Sequence, residues 1–246
     1  MVDGMRGWLD RTVAGVDRFL GACFALAGDL TRLAGLTVKR TATLSVDGSR
    51  LLAELDRAVV GAVPLVAATG LATGAVMVWQ TVEGLARFGA SAYAAKLVAL
   101  SLVRELSPVL VGLLLAGRAG SAMAAELGSM AITEQLTAMH ALALDWHRYL
   151  VAPRVLALTL GLPCLVLVFD AAGLAGGYAV GVLDRGIPSG AYVAATREAL
   201  LARDLALGLV KGAAFGFLIA LVGCRMGLAT DSKRGAGAVG DRKSVV

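Results

Sequence analysis

Charged residues are scarce in this sequence. Asp, Glu, Lys and Arg make up 17% of its 246 residues, whereas 58% are hydrophobic, and the mean hydropathy is +0.77. Average soluble domains carry about 25% charged residues. The shortage of charge therefore argues against an ordinary soluble domain and predicts an integral membrane protein.

Aromatic, cysteine and histidine residues are also few. Aromatics account for 5% of the chain and do not cluster with basic residues, so the net charge of +5 does not indicate nucleic-acid binding. Cys23, Cys164 and Cys224 lie far apart, which indicates neither a zinc site nor a disulfide framework. His140 and His147 have no metal-binding spacing. We expect them to be polar surface residues, and we expect no metal.

No nucleotide-hydrolysing motif is complete. Gly112 and Gly117 have the spacing of a P-loop, but Arg118 and Ala119 stand where Lys and a hydroxyl residue are required. The sequence predicts no enzyme activity and no cofactor on this chain. A cleavable signal peptide is not visible either, so the first membrane helix is expected to act as the signal.

Four long apolar runs predict an all-α, polytopic membrane protein. About 20 helical residues cross the roughly 30 Å hydrocarbon core. Gly70 and Gly74 in the first run, and Gly208, Gly212 and Gly216 in the last, have the spacing that lets helices approach closely. The predicted spans are 58–82, 93–117, 155–183 and 205–224.

The third run is the longest. Pro163 and several glycines interrupt it, and they are expected to bend or break its helix.

Basic residues are distributed unevenly along the chain. Eight Lys and Arg residues lie at or before Arg57, three lie between 118 and 154, and five lie from Arg225 onward, whereas the other connections together hold five. The excess marks the cytoplasmic side. We expect both ends and the 118–154 connection to be cytoplasmic, and the 184–204 connection to be external.

Residues 1–57 are treated as a separate N-terminal region before the membrane domain at 58–246. Trp8, Val13 and Phe19 fall on one helical face, opposite several charged residues. This pattern predicts an amphipathic helix in the membrane interface. A soluble helix packed on another subunit is the alternative.

Charged residues occur inside three of the predicted spans, at Arg104, Glu105, Asp170 and Lys211. A charge at the bilayer centre costs about 2.5–3.5 kcal/mol on insertion scales, so such residues are functional candidates. Arg104 and Glu105 are adjacent, and each needs its own partner. Glu105 and Lys211 are predicted to face a polar cavity or relay, although Lys211 has the alternative of extending to the interface. Asp170 is predicted to lie beside water or Arg104.

The segment 118–136 follows the second run and is rich in small residues. It predicts a helix break near Arg118, followed by an amphipathic helix with polar contacts from Glu126, Glu134 and Gln135. A short cytoplasmic helix of this kind is where a motor subunit would bind a transporter. A loop helix packed on its own chain is the alternative.

Two stretches of the sequence resemble a known family. They are LVALSLVRELSPVLVGLLLAGRAGSAMAAELGSMAITEQLTAM, which begins at Leu97, and DWHRYLVAPRVLAL, which begins at Asp145. Both are similar to the signature region of MlaE-type (YrbE) permeases, the membrane subunits of ABC transporters that move phospholipids or other lipids together with MCE-domain proteins. Ser107 departs from the family pattern, which has Gly before Pro108.

The resemblance implies a bacterial inner-membrane protein that works as a homodimer or a paralogous heterodimer. It implies a cytoplasmic ATPase that carries the ATP, an MCE-domain partner, and a lipid cavity bordered by Glu105 and Lys211. Relatives continue into a fifth hydrophobic helix after the position of Val246, and this helix is expected to be absent from the present sequence. The resemblance also implies a coupling helix within 118–150 that includes Glu126, Leu127, Gly128, Met130, Thr133, Glu134 and Gln135.

Two alternatives remain open at this point. The first is an ion-driven secondary transporter that uses Glu105, Asp170 and Lys211 as a proton relay. The second is a degenerate membrane scaffold that transports nothing.

Overall fold

The computed structural model describes residues 48–241 together with Gly28, Thr31, Ala34 and Gly35. The predicted interfacial helix lies outside the described residues, apart from the four isolated positions just named. Of the rest of the 1–57 region, residues 48–57 are described. Regular structure in the described part of the chain is helical. Its helices are α1 (Gly48–Ala58), α2 (Val63–Ala86), α3 (Ala94–Ser101), α4 (Ser107–Leu115), α5 (Ser121–Ile132), α6 (Gln135–Ala141), α7 (Ala152–Tyr178), α8 (Ser189–Ala199) and α9 (Ala202–Asp241).

Short irregular turns lie at the ends of several of these helices. Two are 3₁₀ turns, and four are wider π-helical segments with i→i+5 geometry. The 3₁₀ turns are Val60–Ala62 and Ser91–Tyr93, and the π segments are Leu102–Leu106, Ala116–Gly120, His147–Val151 and Ala179–Asp184.

Within the described residues, four continuous helical segments are long and apolar enough to cross a membrane. This confirms the predicted all-α polytopic architecture. Each segment extends beyond the predicted apolar run, because helical hydrogen bonding does not stop where hydrophobicity falls. The segments are Gly48–Ala86, Ala94–Ile132, His147–Asp184 and Ala202–Ala229.

The predicted helix break near Arg118 is wrong. The helix of the second span passes through the π segment Ala116–Gly120 and continues as α5 to Ile132. A π segment adds a residue to the turn but keeps the backbone N–H and C=O groups paired, so small residues there widen the helix instead of ending it. The break comes after Ile132, where Glu134 has φ of 60°.

The close contact of α2 with α7 depends on glycine. A Cβ atom at Gly70 would lie 2.7 Å from the carbonyl oxygen of Phe169, and one at Gly74 would overlap the carbonyl of Gly173. From the opposite side, a Cβ at Gly176 would overlap the carbonyl of Leu71. The structure confirms the close approach predicted from Gly70 and Gly74, and it identifies α7 as their partner.

The α7 helix lies at the centre of the molecule, between α2 and α9. Its Pro163 does not break it, and the helix runs uninterrupted from Ala152 to Tyr178. Gly212 of α9 packs near the Cα of Pro163, and a Cβ at Gly216 would overlap the carbonyl of Leu158. The α9 glycines therefore provide the predicted packing stripe.

Buried apolar side chains of α2, α4, α5, α7, α9 and the π segment Leu102–Leu106 form the main core. A second, smaller cluster joins the end of α2 to α3 and α8 on the side predicted to be external. The largest fully buried side chains are Phe169, Leu102, Leu115, Leu127, Leu158, Leu162, Leu165 and Leu221.

Candidate functional site

The backbone between α3 and α4 presents the carbonyl oxygen of Arg104 to a cationic side chain. Pro108 has no N–H to donate to the carbonyl of Arg104, four residues earlier. The π segment Leu102–Leu106 widens the helix at the same place. The ammonium group of Lys211, on α9, donates a hydrogen bond to the Arg104 carbonyl at 2.8 Å.

Lys211 also binds the neighbouring acidic side chain. Its Nζ lies 2.7 Å from Oε2 of Glu105, so one ammonium group joins both the backbone and a carboxylate of the π segment. The structure thus pairs Glu105 with Lys211, whereas the sequence predicted only that both residues face a polar cavity or relay. Glu105 is nevertheless 67% exposed on the surface of the isolated chain.

Arg104 points to a different partner. Its Nε lies 3.5 Å from Oδ1 of Asp204, whose side chain is 9% exposed. Asp204 and Lys211 are seven residues apart on α9 and therefore share one face of that helix. Two adjacent charges of the second span thus pair with two charges of the fourth span.

Sequence reasoning missed Asp204 because it was assigned to the 184–204 external connection. The available signal was its spacing from Lys211, since residues at i and i+7 lie on one helical face. We refer to Arg104, Glu105, Asp204 and Lys211 as the charged cluster.

Asp170 does not belong to the charged cluster. It is 5% exposed on α7 and lies beside Ser107, and its Oδ1 has no hydrogen-bond partner among the described residues. The predicted position beside Arg104 is wrong, because Arg104 pairs with Asp204. Contact of Asp170 with water stays a prediction. A proton relay through Glu105, Asp170 and Lys211 is not assembled in this structure.

The predicted coupling residues are divided between different surroundings. Leu127 and Gly128 are buried, and Met130 is half-buried on α5. Thr133, Glu134 and Gln135 are exposed where the backbone breaks between α5 and α6.

Glu126 lies in a network of ion pairs within the chain. Its carboxylate contacts Arg57 of α1, and it lies 2.9 Å from Nη2 of Arg154. Arg154 also donates from Nε to Glu54, at 3.1 Å. Glu126 is thus engaged by its own chain, and the exposed part of the predicted coupling segment is the break at Thr133–Gln135.

The opposite side of the molecule has its own ion pairs. Lys96 at the start of α3 donates to Glu198 of α8 at 2.8 Å. This hydrogen bond, together with the positive charge of Lys96, lowers the pKa of Glu198. Burial raises the pKa of Tyr192 on α8 to about 12.

Comparisons with known proteins identify related chains. The family model described as Permease MlaE matches residues 51–246. A Rickettsia bellii protein named probable ABC transporter permease protein is 45% identical over 177 residues, which cover 72% of this chain and 68% of that protein.

Two further relatives carry more specific names. The intermembrane phospholipid transport system permease protein MlaE of Haemophilus influenzae is 40% identical over 152 residues, or 61% of this chain and 58% of that protein. The chloroplastic protein TRIGALACTOSYLDIACYLGLYCEROL 1 of Arabidopsis thaliana is 32% identical over 209 residues, or 85% of this chain and 59% of that protein.

Proposed function

Because this chain belongs to the MlaE permease family and is the permease subunit of an ABC transporter, we propose that it moves phospholipid or a related lipid through a polar intramembrane cavity. The chain is not an enzyme, and ATP hydrolysis belongs to a separate subunit. The name of the Haemophilus influenzae relative supports a phospholipid substrate.

The charged cluster is the observation that carries this proposal. Glu105 and Lys211 lie within membrane-spanning helices, and both are partly exposed on the isolated chain. Contact of such charges with lipid tails is costly. A cavity that receives a zwitterionic or anionic headgroup would provide polar surroundings, while the apolar helix faces nearby would contact acyl chains.

The proposal includes three further partners or settings. A second permease copy would enclose the exposed face of the charged cluster and complete the cavity. An MCE-domain protein on the external side would exchange lipid with that cavity. The bacterial inner membrane is the proposed location, since the family's ATPase partner requires cytoplasmic ATP.

ATP-dependent lipid transfer by the purified complex tests the proposed function. The tagged chain would be expressed with its ATPase and MCE-domain partners and reconstituted into vesicles of phosphatidylethanolamine and phosphatidylglycerol. Transfer of a fluorescent phosphatidylethanolamine to acceptor vesicles is then measured with ATP and with ADP. We expect transfer that requires ATP and the ATPase subunit.

Other outcomes would support one of the two alternatives or exclude the proposed substrate. Transport by the permease alone, driven by an ion gradient and indifferent to ATP, would indicate a secondary transporter. A stable complex that hydrolyses ATP but neither binds nor transfers lipid would exclude the proposed substrate. A complex without bound lipid or nucleotide-dependent activity would indicate a scaffold.

A further inference from the structure

Arg154 is a buried charge that joins three parts of the chain. It lies near the start of α7, and its side chain is 5% exposed. Its Nε donates to Glu54 of α1 at 3.1 Å, and its Nη2 donates to Glu126 of α5 at 2.9 Å. Different nitrogen atoms of one planar guanidinium therefore bind two separate helices at the same time.

The two helices joined by Arg154 are separated by a gap. A cavity of about 180 Å³ lies between α1 and α5, and its lining includes Glu54, Arg57, Arg118 and Glu126. The α1 helix packs on α7, whereas α5 packs on α9. Arg57 provides a second bridge across the gap through its ion pair with Glu126. Charged side chains thus connect two helices that are packed on different neighbours.

The position of α5 indicates which movement the Arg154 contacts would transmit. The helix ends at Ile132, directly before the exposed break. Because this break is the exposed part of the predicted coupling segment, it is taken as the docking point of the ATPase. The α1 helix lies at the same side of the molecule and exposes Leu52 on its surface. Movement of the end of α5 would therefore reach α1 through Glu126 and its two partners, the buried Arg154 and the exposed Arg57.

We propose that Arg154 is a positioning residue that makes α1 follow the movement of α5 when the ATPase closes. This inference rests on the proposed function, because it requires an ATPase to act on the α5–α6 break. Loss of Arg154 would leave both the docking point and the charged cluster in place. It would separate ATP hydrolysis from lipid movement.

The first test measures lipid transferred per ATP hydrolysed by the complete transporter. Arg154→Gln is expected to lower this ratio about tenfold, while membrane abundance and ATPase recovery stay within about twofold. Arg154→Lys keeps the charge, but all its donors are on one nitrogen atom and cannot reproduce the separate Nε and Nη2 contacts, so we expect only partial recovery. Lys96→Gln, which breaks an exposed ion pair at the other side of the molecule, is the control.

A double-mutant cycle identifies the connection itself. Glu54→Gln is expected to lower the same ratio, and Glu54→Gln with Arg154→Gln should be no worse than the more severe single variant, because both act through one contact. Fully additive losses would overturn the proposal. Equal losses of abundance and transfer would indicate a folding role and would also overturn it.

A distance measurement tests the connection between α1 and α5 independently of the identity of the substrate. Spin labels at the exposed positions Leu52 and Ile132, in a chain whose cysteines have been replaced, report the separation of α1 from α5. We expect one narrow distribution with and without ATP, and a broadened or ATP-dependent distribution in Arg154→Gln. An unchanged distribution in that variant would overturn the inference. Failure of lipid transfer by the wild-type complex, with the expected distances, would overturn the substrate alone.

Discussion

At the scale of single residues, the charged cluster depends on a proline and a lysine. Pro108 leaves the Arg104 carbonyl without the donor of a regular helix, and the Lys211 ammonium supplies one at 2.8 Å. The same ammonium holds Glu105, while Arg104 turns to Asp204. Lys211 therefore fixes the orientation of the π segment in addition to neutralising a carboxylate.

Replacing Lys211 with Ala should reduce lipid transfer more than protein abundance. The variant removes the donor that joins the Arg104 carbonyl to Glu105, so we expect a decrease of about tenfold in transfer rate. Lys96→Ala is a matched control, since Lys96 pairs with Glu198 at 2.8 Å and is 42% exposed, compared with 40% for Lys211. Parallel losses of transfer and abundance in Lys211→Ala would assign it a folding role.

The Lys96–Glu198 pair should make a small, pH-dependent contribution to stability. Its hydrogen bond lowers the pKa of Glu198 in the folded state. The contribution is therefore present above the unfolded pKa of a glutamate, about 4.3, and is lost as the pH falls through the lower folded value. We expect Glu198→Gln to lower the Tm slightly at pH ~7 and by less at pH ~3. The Tm of the detergent-solubilised chain at both pH values measures this, and an equal decrease at both would exclude the ion pair as its cause.

At the scale of helices, the α2–α7 contact sets the packing of the molecule. Glycines on both helices allow backbone to approach backbone, so this contact tolerates no added side-chain atom at Gly74 or Gly176. In a bilayer, helix association relies on close van der Waals contact, since lipid tails are as apolar as the side chains. The pair is therefore held by shape, and small changes of volume should separate it.

Gly74→Ala should destabilise the protein although alanine is the better helix former. The new Cβ would overlap the carbonyl of Gly173 and force α2 away from α7. Gly84→Ala in the same helix is the matched control, because a Cβ there meets nothing within 4 Å. The control should be neutral or stabilising by up to about 1 kcal/mol. Thermal unfolding in detergent compares the two, and equal Tm values would contradict the tight contact.

At the scale of the whole molecule, one continuous helix connects the membrane interior with the side predicted to be cytoplasmic. Arg104 and Ile132 are 28 residues apart in the segment Ala94–Ile132, which corresponds to roughly 40 Å. A helix break at Arg118 would have disconnected the charged cluster from the predicted coupling segment. Because the helix is continuous, a displacement at the α5–α6 junction would be transmitted along a single helix to Glu105.

Charge reversal at Glu134 should weaken attachment of the ATPase. This residue is exposed at the break between α5 and α6. We expect Glu134→Lys to reduce ATPase recovery with the tagged permease about tenfold, or about 1.4 kcal/mol, with unchanged membrane insertion. Glu83→Lys, at the other end of the first span, is the control. Undiminished recovery with Glu134→Lys would place the ATPase contact elsewhere on the cytoplasmic surface.

The sequence by itself determined the helical class, the four apolar spans and the glycine positions at which helices approach closely. These features follow from local properties: hydropathy over about 20 residues, helical spacing, and the cost of a charge in lipid. Chain order does not determine which helices become neighbours. Only the tertiary structure could therefore give Lys211 as the partner of Glu105, Asp204 as the partner of Arg104, the burial of Asp170, and the engagement of Glu126 by Arg154. It also decided that small residues near Arg118 widen a helix instead of ending it, because packing of α5 on α9 stabilises the continued helix.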